Sequence, residues 1–215
     1  MAATTSMAQR LLHRAGTTYA DEAGITLRNK PKPLFQLLSF AMLASKPIGA
    51  SVAAAAAREI FRAGLRTPAS VLHADRRVMI AAFGRAGYAR YDESSATRLT
   101  ELATAVRDRY AGDLRNLAEE SGHDVRATAR SLQQFNGIGP TGADIFLREA
   151  QNVWQWAQPY FDDRTLATAR ELGLPAEPDA LLSASDGRPA ELAAALVRVS
   201  LDDELRRRVT ADRSA

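Results

Sequence analysis

Only four residues, Asn136-Gly137-Ile138-Gly139, separate two helical patterns, at 125–135 and 140–151. So short a reversal between helices requires glycine, because the chain must pass through positive φ or bring its backbones close together. Ile138, between the glycines, is placed to plug the turn into a core. Pro140 suits the first position of the second helix, where its missing N–H loses no bond. The turn therefore ends in a helix N-terminus whose unpaired N–H groups and dipole form an anion site. Against DNA, such a terminus grips a phosphate without reading sequence. An ordinary corner between two helices satisfies the same pattern.

The rest of the chain also reads as helical. Alanine leads the apolar residues, β-branched residues do not run together, and no segment alternates as a strand would, so the expected class is all-α. Residues 1–6 are small and polar and read as an unstructured lead. A short helix is expected over 8–15. Residues 28–33 form a basic connector interrupted by Pro31 and Pro33. From Leu34 a helix apolar on nearly every side is expected to be buried. Ser51 is placed to cap the next helix, which Gly64 ends. Thr67-Pro68 and Asp75 mark two further helix starts. A turn at 84–87 leads to Tyr88 and Tyr91, and a long amphipathic helix follows over 93–110.

A charged connector is expected around 119–122, with Asp124 capping the helix at 125–135. The stretch 153–161 is aromatic and irregular. Asp162-Asp163 precede a helix that Gly173 ends, 175–189 is loop-rich, and a last amphipathic helix follows. The tail, 201–215, is charged. Its Arg206-Arg207-Arg208 after Asp202, Asp203 and Glu204 suits a solvated mixed-charge helix. The organisation expected is an N-terminal segment, 1–33, packing with a C-terminal lobe. A central helical lobe follows at 34–135, then the turn and C-terminal helices at 136–200, and the tail at 201–215.

The net charge of +3 is compatible with a polyanionic partner and does not demand one. The absence of cysteine excludes disulfides, zinc–thiolate sites and a cysteine-held iron–sulfur cluster. His13, His73 and His123 lie far apart and suggest no metal motif. The polar residues of 9–14 break up any signal-peptide core, and the longest apolar run, 34–44, is too short to span a bilayer. A soluble cytoplasmic protein is the expectation.

The segment Phe135-Asn136-Gly137-Ile138-Gly139-Pro140-Thr141-Gly142-Ala143 resembles the hairpin of the helix-hairpin-helix DNA glycosylases, the endonuclease III superfamily. Asp163, ahead of Arg164-Thr165-Leu166, falls where that family has its catalytic aspartate. Upstream, 37–45 is similar to the apolar helix that ends at the lesion-probing loop. Arg66-Thr67-Pro68 and Gly87-Tyr88 resemble further landmarks of the family. The resemblance runs over roughly 33–174, and its order and spacing are more specific than any one motif. It departs from the family in three places. The lysine that forms a Schiff base in bifunctional members is replaced by Thr141, the family's Asp-x-His reads Asp163-Arg164-Thr165, and the four-cysteine cluster is missing.

The resemblance implies two helical lobes with a cleft between them, and a nucleoid-associated monomer that binds double-stranded DNA mainly through phosphates. It implies base-excision repair by a monofunctional glycosylase, because without the lysine no amine is available for a β-lyase reaction. A flipped damaged nucleotide would enter the cleft. Asp163 would stabilise the positive charge developing on the sugar or orient a water. Gly137, Ile138, Gly139, Thr141, Gly142, Lys46 and Arg164 would contact DNA, with Lys46 helping to fill the vacated stack. Trp154, Trp156, Tyr160 and Phe161 are candidates to stack on the flipped base. No iron–sulfur cluster is implied, and a monovalent cation at the hairpin is the one ion the resemblance leaves room for.

Each role has a plainer rival. Asp163 can be a helix N-cap, alone or with Asp162. The tryptophans can be packing residues, and Lys46 a solvated loop lysine. Two other functions compete: a non-catalytic DNA-binding protein that kept the hairpin, and a helical protein with no nucleic-acid partner.

Overall fold

Helices are the only regular elements among residues 6–211, the part of the chain that the computed structural model describes. The readings for 1–5 and 212–215 lie outside the described residues. The chain divides into a central unit, Tyr19–Leu147, and a terminal unit built from the described residues on either side, 6–18 and 148–211. The division falls at 18/19 and 147/148, and the second boundary lies within a single helix.

The terminal unit starts with α1 (Met7–Ala15). Ser6, read as part of an unstructured lead, is its N-cap: the side chain accepts from the Gln9 N–H, and the Gln9 amide accepts from the Ser6 N–H in return. The unit's other helices are α11 (Asp163–Glu171), α12 (Pro178–Ala184), α13 (Pro189–Leu201) and α14 (Asp203–Ala211). α13 is its centre and packs against α1, α11 and α14. Leu192, Leu196 and Val199 of α13 share a core with Leu11, Leu12, Phe161, Leu172, Leu181 and Val209. Each buried Leu or Val contributes on the order of 2 kcal/mol. The stretch 175–189 holds α12, started by Pro178 at its first turn, instead of being all loop. The tail is a helix of mixed charge, as expected, but it is tied down because α14 buries Val209.

The central unit holds α2 (Tyr19–Glu22), α3 (Pro31–Ala44), α4 (Ala50–Arg62), α5 (Pro68–Leu72), α6 (Arg76–Arg85), α7 (Asp92–Tyr110), α8 (Leu114–Glu120) and α9 (Val125–Leu132). It also holds most of α10 (Pro140–Ala150). α3 begins three residues before the expected Leu34. Lys30 is extended, as the residue before a proline must be, and the fixed φ of Pro31 then starts the helix it was expected to delay. Every residue from Leu34 to Leu43 is buried. Ser39 tolerates this by donating its hydroxyl to the Phe35 carbonyl at 2.9 Å. α4 presents Ala53, Ala54, Ala56 and Ala57, all buried, and packs against α3. Its N-cap is Gly49, without a side-chain bond, so Ser51 does not play that role. Thr67, Asp75 and Asp124 cap α5, α6 and α9 as their sequence context requires. α8 occupies part of the expected charged connector, capped by Asp113 after Ala111 and Gly112 break the chain at positive φ.

Candidate functional site

α9 stops at Leu132, three residues earlier than its apolar pattern suggests, because Phe135 is needed in the turn. The Phe135 ring is 2% exposed and sits 5.9 Å from the Tyr110 ring, while Ile138 is 3% exposed. The two side chains pin both arms of the turn, and the Ile138 N–H donates to the Phe135 carbonyl at 3.0 Å. Gly137, between them, has φ +91°, and a Cβ there would stand 3.0 Å from Arg98 Cδ and 3.2 Å from Met42 Cγ. Gly142 is needed for another reason. A Cβ on it would come within 2.5 Å of Ser45 Oγ, at the C-cap of α3. That hydroxyl is held in place by its bond to the Ala41 carbonyl at 2.7 Å.

Gly139 differs from both. It is exposed, and nothing lies within 4 Å of where its Cβ would be. Thr141 is exposed beside it, and among the described residues the N–H groups of Gly139, Thr141 and Gly142 have no acceptor. The turn thus frames an open depression of about 490 Å³, lined by Ser45 and the chain from Gln133 to Gly142. Its free N–H groups lie at the positive end of α10.

The loop after α3 is fastened from below. Tyr88 is fully buried and donates its hydroxyl to the Leu43 carbonyl at 2.8 Å; burial pushes its pKa up to about 12. The Tyr88 ring lies 5.9 Å from that of Tyr91. Lys46 Nζ and the Arg90 guanidinium each lie over the Tyr91 ring, at 5.6 and 5.5 Å. Lys46 is therefore a half-buried cation next to an aromatic ring.

In the terminal unit, Asp162 and Asp163 have separate jobs. Asp162 is the N-cap of α11: its Oδ1 accepts from the Thr165 N–H at 2.9 Å. Its Oδ2 pairs with Arg148, and both side chains are 7% exposed. Asp163 is the first residue of α11 and is exposed, with no side-chain partner among the described residues. Its carboxylate lies near the positive end of the helix dipole. The preceding loop is held by Gln151, which is fully buried. Gln151 donates to the carbonyls of Arg148 and Tyr160 at 3.0 and 2.9 Å and accepts from the Tyr160 N–H at 3.0 Å. Arg148 and Gln151 were not among the expected site residues. The available signal was an arginine directly after the apolar Ile145-Phe146-Leu147.

The four aromatic candidates divide by burial. Trp154 is 2% exposed and stacks on Trp156 at 5.1 Å, while Phe161 belongs to the core of the terminal unit. Both are packing residues. Trp156 and Tyr160 are half-buried, and Arg164 is exposed. The described residues contain no group of three His, Cys, Asp or Glu able to hold a metal ion. No described helix is long and apolar enough to cross a membrane.

Set beside known proteins, the chain matches no family model, no curated protein and no solved structure.

Proposed function

We propose that the α9–α10 turn is a helix-hairpin-helix that grips duplex DNA by a phosphate. We further propose that the protein is a monofunctional glycosylase, hydrolysing the N-glycosidic bond of a damaged base flipped into a cleft. The observation that carries this reading is Gly139: exposed, open above its Cα, and followed by a helix start whose N–H groups at Thr141 and Gly142 have no acceptor among the described residues. A phosphate oxygen can enter that opening and meet the N–H groups of the helix start. The half-buried Lys46 beside Tyr91 supports the reading as a cation on the same unit.

Asp163 is the proposed catalytic carboxylate. Asp162 is committed to the cap and to Arg148, which leaves Asp163 free to face a substrate. In the reaction, water adds to the sugar C1′ as the base departs, and a carboxylate stabilises the oxocarbenium-like transition state between them. Thr141 has a hydroxyl and no amine, so no Schiff base forms at that position. A monovalent cation at the turn would sit on carbonyl oxygens there. Those of Phe135 and Gly139 already accept from Ile138 and Ala143.

The test is base release from duplexes carrying uracil, oxidised pyrimidines, oxidised guanine, mismatched adenine or alkylated purines, with binding to the same duplexes measured across a salt series. Release of one lesion, with affinity that falls steeply as salt rises, supports the proposal. Salt-dependent binding without release leaves a non-catalytic DNA-binding protein, and absence of both refutes the DNA reading.

A further inference from the structure

A second cavity in the central unit, about 600 Å³ and remote in sequence from the α9–α10 turn, opens at the N-terminus of α3. Its lining carries four cations, Arg28, Lys30, Lys32 and Arg66, and no carboxylate. None of the four has an acidic partner among the described residues. Arg66 is fixed in place by its Nε, which donates to the Phe61 carbonyl at 2.7 Å, so its outer nitrogens are presented rather than swinging free. All four are exposed, and their summed positive potential draws anions to the opening. The end of α3 adds its dipole to the same field: Lys30, the N-cap, makes no side-chain bond to it.

The second observation is Gln36. It lies on the cavity wall one turn into the buried part of α3, is 7% exposed, and its carboxamide has no hydrogen-bond partner among the described residues. Ser39, one turn further on and fully buried, is satisfied instead by the Phe35 carbonyl. On the cavity wall Gln36 offers both a donor and an acceptor, which is what a neutral polar group on a ligand requires.

We infer that this cavity binds a small organic phosphate of nucleotide size, its phosphate among Arg28, Lys30, Lys32 and Arg66 and a neutral donor–acceptor edge on Gln36. Inorganic phosphate is too small to use both ends of a cavity of this volume. Pro31 and Phe61 supply the apolar walls against which a ring can lie. A carboxamide pairs well with the amine and ring nitrogen of adenine, which makes adenosine monophosphate the natural probe. The site is independent of the proposed DNA activity and stands or falls separately.

The experiment is titration of the full chain with adenosine monophosphate, inorganic phosphate and adenosine, followed by calorimetry and by the Gln36 side-chain amide signal in NMR. The expected result is that adenosine monophosphate binds tightest, loses affinity with salt, and shifts the Gln36 amide. Arg28→Ala with Lys32→Ala, both exposed positions, weakens it about tenfold or more. Gln36→Met, matched in shape, weakens adenosine monophosphate and leaves inorganic phosphate unchanged. Equal affinity for adenosine monophosphate and inorganic phosphate, binding that ignores these substitutions, or no binding of either overturns the inference.

Discussion

Arg148, at the end of α10, donates to Asp162 at the start of α11, and both side chains are all but removed from solvent. The pair spans 14 residues of sequence and fixes the helix start at which Asp163 stands. A buried ion pair is weak evidence of net stabilisation, yet breaking one leaves an uncompensated charge. Asp162→Ala also removes the cap. It is expected to cost about 3 kcal/mol or more. Asp163→Asn is expected to change stability by no more than about 0.5 kcal/mol. Urea denaturation of the two variants checks the contrast, and equal losses would mean that the two carboxylates share the structural role.

Gly142 and Ser45 make a second close relationship that can be measured. Gly142→Ala drives a methyl group against Ser45 Oγ and Ile138, and is expected to destabilise by about 1–3 kcal/mol. Ser45→Gly should relieve part of that loss, so a double-mutant cycle gives a coupling of about 0.5 kcal/mol or more. Strict additivity would show that the contact carries no energy.

Tyr88 predicts an alkaline limit. Its folded pKa, raised by burial to about 12, lies above the ordinary value of 10.0. Below pH 10 both folded and unfolded states keep the proton, and this group contributes no pH dependence. Above it the unfolded state ionises first, so stability falls by about 2 kcal/mol as pH rises towards 12. In Tyr88→Phe, which also loses the bond to Leu43, that part of the decline disappears; an unchanged alkaline slope would contradict the assignment.

Thr141 is exposed on the first turn of α10, so Thr141→Lys should leave stability within about 0.5 kcal/mol of the parent. If the hairpin holds DNA as proposed, the new amine reaches an abasic sugar. Borohydride then traps a covalent protein–DNA adduct that the parent protein does not form. Trapping in neither protein would place the turn away from the sugar.

The features legible in the sequence are those that act locally. Thr67, Asp75 and Asp124 could be read as caps because a short side chain bonds N–H groups two or three residues on. The reversal at Gly137 was legible because few residues tolerate its φ. Pro31 misled because proline interrupts one helix and starts another with the same ring. The choice between Asp162 and Asp163 was closed to sequence reasoning. Either suits the end of a helix, and the tie is broken by Arg148, whose position depends on tertiary packing. Burial of Trp154 and Phe161 is tertiary in the same way: composition marked the loop as aromatic but not which rings stay outside.

On the proposed function, Asp163 does chemistry on DNA while Asp162 holds the helix. The most direct measurement compares wild type and Asp163→Asn for release of whichever base the wild type excises, with binding to the same duplex measured in parallel. The expected result is that the variant folds and binds like the parent and releases no base at a measurable rate. Undiminished release by Asp163→Asn would contradict it and move the chemistry elsewhere in the chain.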